Sequence, residues 1–213
     1  MSEIDSHRLI VMFGLIAEVI ERERDHLCAL DGVIGDADHG IAMALGFGAV
    51  RDALAALDAS QADPTTVFNT AAKSFLNAVG ASSGPLYATA FMRAGAAVKG
   101  KAVLDEADAV AAFAAMAKGI QDRGKAERGE KTMVDAWAPA ADAAVSAQAI
   151  GDSLADSRAA AVTAARVGAE ATKDMVASKG RSSRLGDRSL GHMDPGAASA
   201  VMVIEAIAKG LPT

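Results

Sequence analysis

The sequence predicts an all-α protein, an eight-helix antiparallel bundle closed into a helical barrel. Ala makes up roughly a quarter of the 213 residues, and it is the strongest helix former. Runs of β-branched and aromatic residues, which are typical of strands, are missing. Apolar residues recur at spacings of three and four between helix start and stop signals. Short connections between such helices favour antiparallel neighbours.

Four helices are predicted in the N-terminal half. Apolar residues at helical spacing, such as Ile10 and Phe13, define the first, and a second follows the glycine-rich segment 31–40. Asp63-Pro64 places an N-cap before a proline at the first helical position and so starts the third. A turn at 83–85 opens the fourth. The first helix is predicted over about 6–30, and the second begins near 39. The third is predicted over 64–79 and the fourth over 83–100.

Four more helices are predicted in the C-terminal half. Asp105 caps the fifth, which ends before the polar run 123–131. A sixth starts around Lys131 and a seventh around Asp156. Asp194-Pro195 opens the eighth in the same way as the cap of the third. No low-complexity tract divides the chain, so residues 1–213 are predicted to form one domain.

Composition excludes several classes of function. The 21 Lys+Arg and 27 Asp+Glu give a formal net charge of −6, which argues against nucleic acid as a partner. The single cysteine cannot form an internal disulfide, and the N-terminus lacks the pattern of a secretory signal. Apolar stretches are shorter than the roughly 20 residues that span a bilayer. We therefore expect a soluble, cytoplasmic protein without a membrane partner.

Four segments depart from the helical pattern and are candidate functional sites. They are DGVIGDADHG at 31–40, VGASSGP at 79–85, RGKAERGEKTM at 123–133 and the polar stretch 179–196. All four lie at loop-to-helix junctions. In an antiparallel bundle such junctions gather on a common rim.

The first of these segments carries Asp31, Asp36 and Asp38 in a predicted loop. Crowded carboxylates repel one another unless a cation or hydrogen-bond donors offset their charge. Their hard oxygen ligands favour magnesium or calcium. The segment is not an EF-hand, because Gly40 and Phe47 occupy two of that motif's ligand positions. The alternative is that Asp38 caps the second predicted helix, Asp31 terminates the first and Asp36 is solvated.

The turns at 80–84 and 194–196 each precede a helix start. Unpaired N–H groups at a helix N-terminus, together with serine hydroxyls, form a cradle for an anion, although a plain capping turn is the alternative. With the acidic segment and Arg181, these features predict a nucleotide phosphate site. The site is not a P-loop, because Glu130 interrupts the required pattern. The run 46–51 lacks the third glycine of a dinucleotide fingerprint.

Taken together, the four segments resemble signature segments of the nucleotide-binding L subunit of dihydroxyacetone kinases. The stretches that carry the resemblance are DGVIGDADHG with AMALGF, VGASSGPLYATAF, RGKAERGEKTMVDAWAPA and SKGRSSRLGDRSLGHMDPGAASA. They cover almost the whole chain in the family's order. The resemblance implies an eight-helix barrel that holds ADP or ATP through two magnesium ions at one end.

The resemblance also implies a role for individual residues. The magnesium ligands would be Asp31, Asp36 and Asp38. No side chain is expected to act as a covalent catalyst. The family commonly has asparagine where this chain has Ala42, so a polar contact near the phosphates is expected to be lost or replaced, with Ser82 as a partial substitute. The implied nucleotide-binding residues are His39, Gly40, Ile41, Ala42, Ser82, Ser83, Gly124, Thr132, Met133, Arg181, Asp194, Pro195 and Gly196.

The implied activity is phosphoryl transfer to dihydroxyacetone or another small ketose. In this family a separate substrate-binding K subunit holds the ketose covalently, so the chain is expected to be inactive alone. The phosphoryl donor would be a phosphohistidine carrier protein that recharges bound ADP, or exchanging ATP. The alternatives are a kinase subunit for erythrulose or a fatty acid, and a non-enzymatic helical adaptor. A homodimer is left open.

Overall fold

The computed structural model describes residues 3–211. Over this range it contains nine α-helices and two short 3-10 segments, Thr172–Asp174 and Ser182–Ser189. The predicted all-α fold class is confirmed. None of the helices in this range is both long enough and apolar enough to cross a lipid bilayer. The helices are α1 (Ser6–Arg22), α2 (Arg24–Ile34), α3 (His39–Ala55), α4 (Pro64–Ala78), α5 (Ser83–Ala97), α6 (Glu106–Gly124), α7 (Val134–Ala149), α8 (Leu154–Ala171) and α9 (Pro195–Gly210).

Three helix starts follow from capping residues that the sequence predicts. Asp63 accepts the Thr66 N–H at 2.7 Å before α4. Asp194 accepts the Ala197 N–H at 2.7 Å before α9. A proline follows each of these caps as the first helical residue, and Asp105 caps α6. Each bond satisfies an N–H group that a helix start leaves unpaired. These caps fix where α4, α6 and α9 begin.

The first predicted helix differs from the structure. Instead of one helix over 6–30, the chain forms α1 and α2, which are divided at Glu23 and extend to Ile34. The Glu23 N–H still donates to the Val19 carbonyl at 3.0 Å, and the Glu23 carbonyl accepts the Leu27 N–H at 2.9 Å. The backbone therefore changes direction with these hydrogen bonds intact. No glycine or proline marks the position, so the sequence carries no signal for the division.

Eight of the helices form a closed ring. α1 packs against α3, and from α3 to α9 each helix packs against the next, until α9 returns to α1. α2 crosses α3 and α9 outside this order. One cavity is lined by the first residues of α5, α7 and α9 and by the last residues of α6. Neighbouring helices of the ring therefore run in opposite directions. This arrangement agrees with the predicted antiparallel barrel.

Aromatic side chains fill the interior of the barrel. Phe47 makes edge-to-face contacts with Phe75 and Tyr87, with ring centroids 5.0 and 5.5 Å apart. Such pairs contribute about 0.5–1.5 kcal/mol each beyond the area they bury. The Phe75 ring lies directly against the α3 backbone at Gly46, where a Cβ atom would overlap it. This packing holds α3 and α4 close together and supports the end of the barrel described next.

Candidate functional site

Four helix N-termini surround one open cavity of about 480 Å³ at an end of the barrel. They belong to α3, α5, α7 and α9. The first N–H groups of a helix lack partners within it, and its N-terminus carries roughly half a unit of positive charge. The cavity is therefore suited to an anion, although the whole chain has a net charge of −6.

The start of α5 contributes two hydroxyl groups to this cavity. Ser82 occupies the N-cap position, is exposed, and makes no capping hydrogen bond with its side chain. Ser83 follows as the first helical residue and is buried. Gly84 packs against the Val79 carbonyl, where a Cβ atom would collide. The turn is thus tightly folded and leaves its serine hydroxyls at the cavity wall.

Three carboxylates converge at one side of the cavity. Asp31, Asp36 and Asp38 each offer an oxygen atom that lies within 4.8 Å of the others. Asp31 is buried, and its Oδ2 accepts the N–H groups of Asp38 at 3.0 Å and His39 at 3.3 Å. The prediction that Asp31 lies in a loop is wrong, because it belongs to the last turn of α2. Its backbone contacts fold the following loop back so that the other two carboxylates reach it.

Arg181 provides a positive charge beside this cluster. Its guanidinium forms ion pairs with Asp36 and, at 3.2 Å, with Asp38. All three side chains are about half exposed, so these ion pairs contribute little to stability. Their effect is to bring segment 179–190 to the acidic cluster. The structure thus places a cation and three carboxylates at the same wall.

His39 is the first residue of α3, and its side chain contacts Ser199 of α9. Its Nε2 lies 2.9 Å from the Ser199 Oγ, and the Ser199 hydroxyl donates to the Gly196 carbonyl at 3.0 Å. The Ser199 oxygen therefore accepts from Nε2–H. Burial lowers the pKa of His39, and the nearby Asp31 charge opposes this only in part. The imidazole is thus neutral at pH 7, with its orientation fixed by α9.

A buried polar cluster lies beneath the starts of α7 and α9. Lys131 is 2% exposed and donates from Nζ to the carbonyls of Thr172 and His192, both at 2.5 Å. Asp135 accepts the Gly129 N–H at 2.6 Å. Burial lowers the pKa of Lys131. Burial also raises the pKa of Asp194 to about 7. The hydrogen bond from the Ala197 N–H and the positive charge of Lys131 lower this pKa, but they offset the effect of burial only in part.

Most residues that the sequence singles out lie at this one cavity, but Gly40 and Ile41 do not line it. Gly40 is buried, and a Cβ atom there would collide with the Arg24 carbonyl of α2. Ile41 is half exposed on the outer face of α3. The predicted residues that line the cavity are Asp31, Asp36, Asp38, His39, Ala42, Ser82, Ser83, Gly124, Thr132, Met133, Arg181, Asp194, Pro195 and Gly196.

Several cavity residues were not predicted. Leu86, Ile120 and Val134 form part of an apolar wall, while Arg123 and Lys179 add cationic groups. Their helical spacing gives no sign of this role, because an apolar residue on a helix indicates core packing as readily as a ligand contact. The sequence signal that could have identified some of these residues is their closeness to the four segments that depart from the helical pattern. Lys179 stands two residues before Arg181, and Arg123 directly precedes Gly124.

Comparison with known proteins links this architecture to one family. The model of the DAK2 domain matches residues 33–209. The ADP-binding subunit DhaL of PEP-dependent dihydroxyacetone kinase 2 from Listeria innocua is 39% identical over 193 residues, which are 91% of this chain and 89% of that protein. The ADP-binding subunit DhaL of the PEP-dependent dihydroxyacetone kinase of Escherichia coli is 37% identical over 191 residues, 90% of each chain.

A solved structure shares the fold. The dihydroxyacetone kinase from C. freundii, in complex with AMP-PNP and Mg²⁺, superposes with a TM-score of 0.70 and 27% sequence identity. The match covers 94% of this chain and 33% of that one. The chain therefore spans about a third of the length of the solved kinase.

Proposed function

The chain belongs to the DAK2-domain family, and on that premise we propose that it is the nucleotide-binding subunit of a dihydroxyacetone-type kinase. It holds the nucleotide at the end of the barrel and passes the γ-phosphoryl group of ATP to a hydroxyl of a ketose bound covalently on a separate substrate-binding subunit, which leaves ADP in the site. The observation that carries this proposal is the convergence of three carboxylates and four helix N-termini on one cavity. Phosphoryl transfer depends on such positioning and charge stabilisation.

The residues present fit a magnesium site. Asp31, Asp36 and Asp38 supply hard oxygen ligands within 4.8 Å of one another, and oxygen is the ligand that magnesium prefers. Arg181 offsets only one of the three negative charges. We propose that two ions are held by these carboxylates. When bound, magnesium would neutralise charge on the nucleotide phosphates.

The two sides of the cavity suit the two parts of a nucleotide. Leu86, Ile120 and Met133 offer apolar surface for the base. The serine hydroxyls and N–H groups at the start of α5, with the start of α9, suit the phosphates. We propose that the phosphates bind beside the carboxylate cluster, which lines the same cavity. Ala42 lines the cavity without offering a polar group.

Transfer itself requires no nucleophile from this chain. The attacking hydroxyl group belongs to the ketose on the partner subunit, and the residues described here bind and orient the nucleotide. Arg181 would leave its carboxylate partners to stabilise the charge that develops on the transferring group. His39, whose pKa is lowered by burial and whose ring is oriented by Ser199, adds a polar group without adding positive charge.

For the phosphoryl donor, we propose that ADP remains bound and is recharged by a phosphohistidine carrier protein. The Listeria innocua and Escherichia coli relatives are PEP-dependent kinases, which supports this over exchanging ATP. These relatives do not favour a kinase for erythrulose or a fatty acid, or a helical adaptor. The discriminating experiment is reconstitution with a candidate substrate-binding subunit and dihydroxyacetone, with ATP or a phosphorylated carrier as donor. Transfer from ATP alone would contradict the carrier proposal.

Nucleotide binding can be tested on the chain by itself. We expect calorimetric titration to detect ADP binding that requires Mg²⁺. Asp36→Asn should weaken this binding by about 2 kcal/mol, or roughly 30-fold, because a unit charge about 4 Å from a divalent ion contributes about that much even in water. Helicity by circular dichroism should not change, because Asp36 is half exposed and caps no helix.

Asp52→Asn is the matched control. Asp52 lies on the exposed side of α3 and pairs only locally with Arg51, so ADP affinity should not change. Equal affinities of the Asp36→Asn variant and the wild type would remove Asp36 from the metal site. Absence of ADP binding to the wild type with Mg²⁺ present would overturn the nucleotide proposal and favour the adaptor.

A further inference from the structure

Lys131 combines two features that are uncommon for a lysine. Its backbone has φ +60°, in the left-handed region, and its side chain is 2% exposed. Lysine is almost never fully buried unless its charge is paired, and few non-glycine residues adopt this backbone conformation. Two locally unfavourable features therefore accompany the placement of this ammonium group at the base of the cavity, which Lys131 helps to line.

The ammonium group joins segments that are far apart in the sequence. The carbonyl of Thr172 follows α8, and the carbonyl of His192 precedes α9; Nζ donates to both at 2.5 Å. The Thr172 hydroxyl then accepts the Asp194 N–H at 2.9 Å. The segments that open α7 and α9 are thus connected through Lys131 and Thr172.

The backbone around Lys131 is fixed independently by Asp135. Its carboxylate accepts the Gly129 N–H at 2.6 Å and the Thr132 N–H at 2.8 Å, one on each side of the lysine. Asp135 is 3% exposed and lies in the first turn of α7. Lys131 is therefore a rigid attachment of α7, rather than a flexible side chain of a loop.

We propose that Lys131 is a positioning residue of the nucleotide site, which holds the starts of α7 and α9 at a fixed separation so that both face the same bound phosphate chain. This rests on the proposed nucleotide function. An ammonium group with three N–H donors at the end of a long side chain can bond two carbonyls at once; glutamine has two N–H donors, but its side chain is one atom shorter and carries no charge.

This role differs from that of a P-loop lysine, which contacts phosphate directly. Lys131 and Thr132 follow a glycine-rich run, as in a P-loop, but Nζ is committed to two backbone carbonyls. Its contribution to binding is therefore indirect. It acts through the position of the α9 start, where Gly196 packs against Met133 at the α7 start.

Hydrogen exchange on the nucleotide-free full-length chain tests the connection directly. Lys131→Met keeps the shape of the side chain and removes all three donors. We expect exchange in 172–176 and 190–198 to accelerate by about tenfold or more, since a lost 1.4 kcal/mol of local stability has that effect. Exchange in α1, α3 and α4 should remain within about twofold of wild type. Lys131→Gln, which keeps two N–H donors on a shorter, uncharged side chain, is measured in parallel so that a folded variant is available.

The affinity for ADP and Mg²⁺ is the second measurement, made where circular dichroism shows each variant folded. Lys131→Met should weaken binding by about tenfold or more, with Lys131→Gln between it and wild type. Lys118→Met, which removes an exposed lysine of α6 paired with Asp122, should change neither measurement.

Unchanged exchange in 172–176 and 190–198, or equal acceleration in all helices, would overturn the positioning role. So would wild-type ADP affinity in the folded Lys131 variants. If the wild type itself fails to bind ADP, the nucleotide function and the phosphate role of Lys131 both fall. The exchange result for the nucleotide-free chain would still show whether Lys131 joins the two helix starts.

Discussion

The buried carboxyl group of Asp194 predicts an unusual dependence of stability on pH. Asp194 is 9% exposed, and burial, together with the charges of Asp135 and Asp31, raises its pKa from 3.8 to about 7, while the Ala197 N–H and the Lys131 charge act in the opposite direction. The folded protein therefore binds this proton more tightly than the unfolded chain does. The contribution of Asp194 is most favourable below about pH 4 and is lost as the pH rises to about 7.

The size of the effect follows from the two pKa values. One unit corresponds to about 1.36 kcal/mol. Between pH 5 and 8 the Asp194 carboxyl group is already ionised in the unfolded chain, whereas in the folded protein it loses its proton over this interval. The free energy of unfolding should fall over this interval by about 2.5 kcal/mol because of Asp194. Asp194→Asn keeps an oxygen that can cap α9 and should lose this dependence.

The assay is urea denaturation followed by circular dichroism at pH 5, 6, 7 and 8, with EDTA present. Titrating groups far from Asp194 occur in both proteins and largely cancel in the difference between them. Asp63→Asn is the control, because Asp63 caps α4 with the same 2.7 Å bond but is exposed, and that bond lowers its pKa. Its difference from wild type should be constant. A constant difference for Asp194→Asn as well would refute the reasoning.

Three further predictions concern the helices and the core. Gly46→Ala should destabilise the protein by about 1–3 kcal/mol, because the new methyl group overlaps the Phe75 ring. Gly48→Ala, on the same helix with open space around it, should stabilise the protein by up to about 1 kcal/mol. Equal effects of the two substitutions on thermal melting would contradict this. Tyr87→Phe removes a buried hydroxyl that lies near Trp137 and Ser199 but makes no hydrogen bond of good geometry among the described residues. Urea denaturation should therefore show unchanged stability or a gain of up to about 1 kcal/mol; a loss would show that Trp137 or Ser199 is a true partner. Asp105→Ala removes the capping box of α6 and should cost about 1 kcal/mol in thermal unfolding; an unchanged melting temperature would contradict it.

The fold was predictable wherever its cause is local. Asp63-Pro64 starts α4 because the carboxylate accepts an N–H three residues ahead and the proline needs no partner. Ala content and helical spacing act over a few turns, so they predicted all-helical structure and its segmentation. The division at Glu23 has no local cause of this kind. It accompanies the crossing of α2 over α3 and α9, and those contacts are distant in sequence.

The same distinction applies to the candidate site. The three aspartates lie within eight residues, so their proximity was visible in the sequence. Lys131 bonds carbonyls 41 and 61 residues away, and Ser199 contacts His39 across 160 residues. Nothing near Lys131 in the sequence indicates a buried ammonium group. Such partners become known only once the barrel brings the loops together.

The ring of alternating helices also determines what kind of anion this protein admits. Because neighbouring helices are antiparallel, their dipoles cancel at a distance, and the excess of acidic side chains governs the far field. A long polyanion therefore meets repulsion over most of the surface. A small anion that enters the cavity meets the starts of four helices at short range, and the partial positive charge of a helix start does not depend on pH. Selection between short and long phosphate chains thus depends on two features together, the helix order around the cavity and the acidic surface outside it.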